Sequence, residues 1–111
     1  MALVEMDFMN GSGGGKTYFC TNSMGGTFSV SSNDGLDYHT EGSSTGYTQA
    51  LFFEDDNFSL SSSASSYSTT FTLKKNCDFT DIYYGTPTKT SKSAGSSVVV
   101  DMSYHQVMIE F

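Results

Sequence analysis

Gly42-Ser43-Ser44-Thr45-Gly46 spells G-x-S-x-G, the pattern of a serine nucleophile on a strained turn between a strand and a helix. Nothing after it has helical spacing. Asp37 and His39, two residues apart, share one side of a strand as bystanders. Asn10-Gly11-Ser12-Gly13-Gly14-Gly15-Lys16-Thr17 looks like a phosphate-binding loop, but Asn10 stands where that loop needs glycine. The Tyr18-Phe19-Cys20 run after it has strand character, so no helix N-terminus would face a phosphate. Asn33 to Glu41 has a glycine and a glutamate spaced as in a calcium loop. Its upstream ligand positions, however, fall on Val30 and Ser32, and valine cannot coordinate. No catalytic residue is assigned, and the chain is read as a protein other than an enzyme.

Two sets of side chains remain as candidates. Glu54, Asp55, Asp56 and Asn57 form the one dense acidic cluster. Their oxygens could hold calcium weakly, although the same residue types favour a solvated hairpin turn with no metal, and no other cofactor is expected. Tyr38, Tyr83, Tyr84 and Tyr104 lie at strand ends, where ring faces could stack on sugars. Tyrosine among many small polar side chains is also the composition of antibody-like recognition surfaces. The competing demand on these rings is the core itself, because the chain is poor in aliphatic residues.

The elements that must position these residues repeat with a period of two. Ala2, Val4, Met6 and Phe8 alternate with polar residues over 2–9, and strand-like runs follow at 17–22, 27–31, 36–40, 47–54, 58–62, 68–75 and 78–84. A polar loop through Pro87, Lys89, Lys92 and Gly95 then leads to the last segment. There Val98, Val100, Met102 and Tyr104 share one parity, while Val107, Ile109 and Phe111 share the other. One straight strand would expose one of these sets, so something absorbs a residue near His105-Gln106. With no Gly, Pro, Asn or Asp at that point, a β-bulge is expected rather than a tight turn. Turn signals recur every eight to twelve residues and apolar 3,4 spacing is absent, which predicts an all-β antiparallel sandwich, jelly-roll or immunoglobulin-like. About 8–9 short strands are expected in a single domain spanning 1–111, with little or no helix.

Composition narrows the function. The 111 residues include 19 Ser and 13 Thr, and net charge is −7 with five lysines and no arginine. Binding nucleic acid through phosphates needs several bases on one face, and only Lys74 and Lys75 are adjacent, so no nucleic-acid partner is expected. The scattered acids do not form the rows of a DNA mimic. No basic leader precedes Glu5 and Asp7, and no window is apolar enough for a membrane helix; neither a signal peptide nor membrane insertion is expected. Cys20 and Cys77 are too few for a metal site. They read as small buried apolar residues, with the possibility of a disulfide left open.

In composition and layout, rich in Ser, Thr, Gly and Tyr throughout, the chain resembles small virion proteins of tailed bacteriophages: capsid decoration, neck or tail-fibre components. That resemblance implies a structural or attachment component that is folded in the host cytoplasm, resides in the virion, and contacts other virion proteins or copies of itself. One proline and few lysines predict weakly defended sheet edges, which copies of the chain would cover as a homo-oligomer. Two other functions fit the residues. One is a glycan-binding module that uses the surface tyrosines on a host surface glycan. The other is a small acidic inhibitor of a host enzyme.

Overall fold

The predicted alternation becomes ten antiparallel strands in the computed structural model, which describes residues 15–22, 27–33, 37–41, 51–62 and 68–111. They are β1 (Thr17–Asn22), β2 (Thr27–Ser32), β3 (Asp37–Glu41), β4 (Leu51–Glu54) and β5 (Phe58–Ser62), then β6 (Ser68–Leu73), β7 (Cys77–Tyr83), β8 (Thr86–Lys92), β9 (Ser97–Asp101) and β10 (His105–Glu110). The run at 2–9 and the G-x-S-x-G stretch lie outside the described residues, as do residues 10–14 of the glycine-rich stretch. No helix among the described residues is long and apolar enough to cross a membrane.

The strands form a six-stranded sheet in the order β3-β2-β1-β10-β7-β8 and a four-stranded sheet in the order β4-β5-β6-β9. Parity decides which faces meet. Tyr18, Cys20, Phe28, Val30, Phe79, Val107 and Ile109 come from the first sheet, and Phe58, Leu60, Phe71, Leu73 and Val100 from the second. All are buried in one shared cluster, so the two sheets pack as a sandwich. Phe58 is at its centre: its ring meets Tyr18 edge-on at 4.8 Å and lies near Phe53 (5.4 Å), Phe111 (6.2 Å) and Phe71 (6.3 Å). Both cysteines are buried and unpaired, so no disulfide contributes.

Two local expectations are corrected. The segment expected to be a polar loop from Pro87 to Lys92 is the edge strand β8. Thr86 to Ser91 are exposed on both faces of β8, so no hydrophobic alternation marks it in the sequence. The last segment has no bulge: β9 ends at Asp101, the chain turns over 102–104, and β10 resumes in the other sheet. Asp101 makes that turn, its carboxylate accepting from Ser103 N–H (3.1 Å) and Ser103 Oγ (2.6 Å) while its carbonyl accepts from Tyr104 N–H (3.2 Å). The turn residue therefore stands a few positions before the stretch that lacked one. The parity switch is real, and a change of sheet absorbs it, with Val100 and Met102 buried before the crossing and Val107 and Ile109 after it.

One edge, that of β8, is better defended than the composition predicted. β7 and β8 are joined by a two-residue hairpin, with Tyr83 opposite Thr86. In such a hairpin the closing pair exchanges hydrogen bonds, so alternate residues of β8, beginning with Pro87, turn their backbone groups to the free edge. Those residues are Pro87, Lys89 and Ser91, so the chain's one proline and an edge lysine fall where strand addition would occur.

Candidate functional site

The β7–β8 turn is Tyr84-Gly85, with φ of 49° and 82°. Positive φ at both positions is the type I′ geometry that suits the twist of a hairpin. Glycine takes it freely, whereas tyrosine in the left-handed region costs on the order of 1 kcal/mol. The result of that strained backbone is an exposed ring: Tyr84 is 71% accessible. Tyr83, the last residue of β7, lies opposite His105, the first of β10, and the Asp101-built turn delivers Tyr104 beside them. Ring centroids are 4.6 Å apart for Tyr83–Tyr84, 4.8 Å for Tyr83–His105 and 6.0 Å for Tyr84–Tyr104. Three tyrosines at two turns, the β7–β8 hairpin and the β9–β10 crossing, thus form one continuous aromatic surface with a histidine, about half of each tyrosine or more open to solvent.

A cleft of about 260 Å³ adjoins it. Buried Ile82 and Met102 give it an apolar floor, while Asn22, Ser103 and Gln106 supply polar walls and Tyr84, Tyr104 and His105 complete the lining. His105 donates from Nδ1 to Asp81 Oδ1 at 2.6 Å, which orients its ring beneath Tyr83. Ser103 Oγ donates to Asp101, not to His105, so the serine and the Asp81–His105 pair are not arranged as a nucleophile and its base. What the site offers is flat ring faces beside amide, carboxylate and imidazole hydrogen-bonding groups.

Of the four predicted tyrosines, the fold unites Tyr83, Tyr84 and Tyr104. Tyr38 is on β3, at the opposite edge of the six-stranded sheet; four strand spacings of roughly 4.8 Å separate it from β7. Asp81, His105 and Met102 join the site without any signal in the sequence. Only the pairing of β10 with β7 brings His105 to Tyr83 and Asp81, and no local pattern announces that pairing.

The acidic cluster forms the β4–β5 turn. Asp55 Oδ1 accepts from Asn57 N–H (2.8 Å) and Phe58 N–H (3.2 Å). Asp55 Oδ2 accepts from the Tyr18 hydroxyl, which in turn accepts from Asn57 Nδ2 at 2.7 Å. Lys74 Nζ closes the group on Glu54 Oε2, also at 2.7 Å. This network clasps the two sheets together, since Tyr18 belongs to one and the turn to the other. Burial, then the Asp55 carboxylate, pushes the Tyr18 phenol up to about 12. Glu54, Asp55 and Asn57 are thereby engaged within the protein. Among the described residues no group of three or more His, Cys, Asp or Glu side chains is placed to hold a metal ion.

Comparison with protein-family models, curated proteins and solved structures yields no match to this chain.

Proposed function

We propose that this chain is a non-enzymatic glycan-binding β-sandwich module. The observation that carries this reading is the exposed Tyr83–Tyr84–Tyr104 surface beside the 260 Å³ cleft. Sugars present flat C–H faces to rings and hydroxyls to amides and carboxylates, and the site offers both kinds of partner. The left-handed backbone at Tyr84 supports it further. Asparagine or glycine would suit that turn better, so the ring is held outward at a cost in stability. An attachment component of a virion is a setting that would use such a surface. A glycan array probed with and without calcium is expected to return sugar ligands, with Tyr84→Ala and Tyr104→Ala each weakening binding by about tenfold or more, on the order of 1.4 kcal/mol. A blank array under both conditions would overturn the reading.

Self-assembly, the other expected role, is favoured by a separate observation. Phe52, Ser61, Thr70 and Val99 form one row across the outer face of the four-stranded sheet, and the two end residues, Phe52 at 64% and Val99 at 65%, are largely exposed. A two-fold axis parallel to the strands, between Ser61 and Thr70, would place Phe52 of one copy over Val99 of the other. Light scattering on a sizing column is expected to show mass above 12.0 kDa that rises with concentration and falls in Phe52→Ser. A constant monomer mass at all concentrations would rule the contact out.

A further inference from the structure

The six-stranded sheet extends beyond its four-stranded partner at β8, and that overhang continues the aromatic surface. By register, Thr86, Thr88, Thr90 and Lys92 lie on the same face as Tyr83, Asp81, Phe79 and Cys77 of β7. Phe79 and Cys77 are buried, whereas Thr86 to Ser91 are exposed, so among the described residues the covering layer reaches β7 and stops before β8. The result is a step one strand wide that starts at the tyrosines.

The two faces of β8 differ in what their side chains do. On the outer face Lys89 pairs with Glu110 (3.2 Å) and lies near Asp78 (3.8 Å), while Ser91 Oγ donates to Asp78 at 3.1 Å. On the step, the hydroxyls of Thr86, Thr88 and Thr90 have no hydrogen-bond partner among the described residues. They repeat every second residue, roughly 6.8 Å apart, so the three span about 14 Å in a line. Asp81 faces Thr88 beside the middle of that line with its carboxylate engaged by His105, and Lys92 stands at the far end.

From this we infer that the ligand is a linear, uncharged oligosaccharide. One sugar ring stacks on Tyr84 and Tyr104, and the following units run along β8 on the hydroxyls of Thr86, Thr88 and Thr90. An extended peptide suits the same strand poorly, because strand addition needs the backbone edge that Pro87 and Lys89 obstruct. The inference rests on the glycan-binding reading and adds to it the length and charge class of the ligand.

The test is calorimetric titration with malto-, cello- and chito-oligosaccharides of one to six units. Affinity is expected to rise about tenfold or more from the shortest binding sugar to the hexamer of the same series. Thr88→Val and Thr90→Val keep β-branched side chains on an exposed strand and so preserve the fold. Each is expected to weaken hexamer binding several-fold and leave the short sugar's affinity unchanged, whereas Tyr84→Ala weakens both. Equal affinity for short and long members, or hexamer binding indifferent to both threonine variants, would overturn the inference while leaving the stacking site intact. If no member of any series binds, the glycan-binding reading fails, and the inference with it.

Discussion

Phe58→Ala is expected to lower the unfolding free energy by about 3–5 kcal/mol, the range for deleting a fully buried aromatic side chain. The ring is entirely inaccessible and lies within 6.3 Å, centroid to centroid, of four others. Its neighbours come from both sheets, with Tyr18 on one side and Phe53 and Phe71 on the other. The cavity would therefore open at the seam between the layers, where neither sheet can collapse without moving the other. A domain of this size has roughly 5–15 kcal/mol to lose, so the variant would be marginal or unfolded at room temperature. Urea denaturation of wild type and variant measures the difference, and Tyr83→Ala, which removes a half-exposed ring, serves as the comparison. A change under about 1 kcal/mol for Phe58→Ala would mean that the core is not organised around that ring.

Alkaline pH is expected to destabilise the protein in two stages. Burial raises the Cys20 thiol well above its ordinary value of 9.0. It also raises Cys77 to about 11, with the neighbouring Asp78 charge adding to the effect. Tyr18 goes from 10.0 to about 12. Each group becomes an anion on losing its proton, and each holds that proton more tightly in the folded chain than in the unfolded one. Their contribution is complete below about pH 7.5, where the unfolded thiols are still protonated. It declines from there as the thiols of the unfolded chain ionise, and further above pH 10 as tyrosine follows. Each tenfold difference in proton affinity between the folded and unfolded chains is worth roughly 1.4 kcal/mol. Cys77 and Tyr18 together therefore account for a loss on the order of 5 kcal/mol by pH 12, and Cys20 adds to it. Urea midpoints between pH 7 and 11 under reducing conditions read the first stage, and Cys20→Ala should make it shallower while Cys77 continues to contribute. Tyr18→Phe should remove the decline above pH 10 after a smaller loss at neutral pH, where Asp55 and Asn57 lose their shared partner. A flat profile from pH 8 to 11 would contradict the burial of both thiols.

Where one face of a strand is buried and the other is wet, the sequence announces the strand. Thr17–Asn22 and Phe58–Ser62 occupy the expected residues, and Phe71 and Leu73 point into the core as their alternation requires. β8 escapes because alternation records burial rather than backbone pairing, and an edge strand wet on both faces has none to record. The crossing after β9 escapes because Asp101 reaches forward with its side chain, so the turn former precedes the turn. At the candidate site, residue type and position at the ends of expected strands mark Tyr83, Tyr84 and Tyr104. They mark Tyr38 equally, because local pattern cannot tell which end or edge of a sandwich a hairpin occupies. The Asp81–His105 pair depends on residues 24 positions apart that only long-range pairing aligns.

The position of β10 governs how this chain acquires its structure. β10 lies between β1 and β7, so two blocks of the larger sheet, β3-β2-β1 and β7-β8, have no hydrogen-bonded connection until residues 105–110 join them. During synthesis the β1–β2 hairpin can form early, but its other edge waits for a partner some ninety residues downstream. Pairing across that separation closes a long loop before any contact repays the lost entropy, which makes folding slow for the size of the protein. In the interval β1 presents Tyr18 and Cys20 on an open, apolar strand edge, the kind that recruits other nascent chains. Polysomes crowd such chains together, so soluble yield in the cell is expected to depend on how quickly β10 arrives as well as on the stability of the finished sandwich.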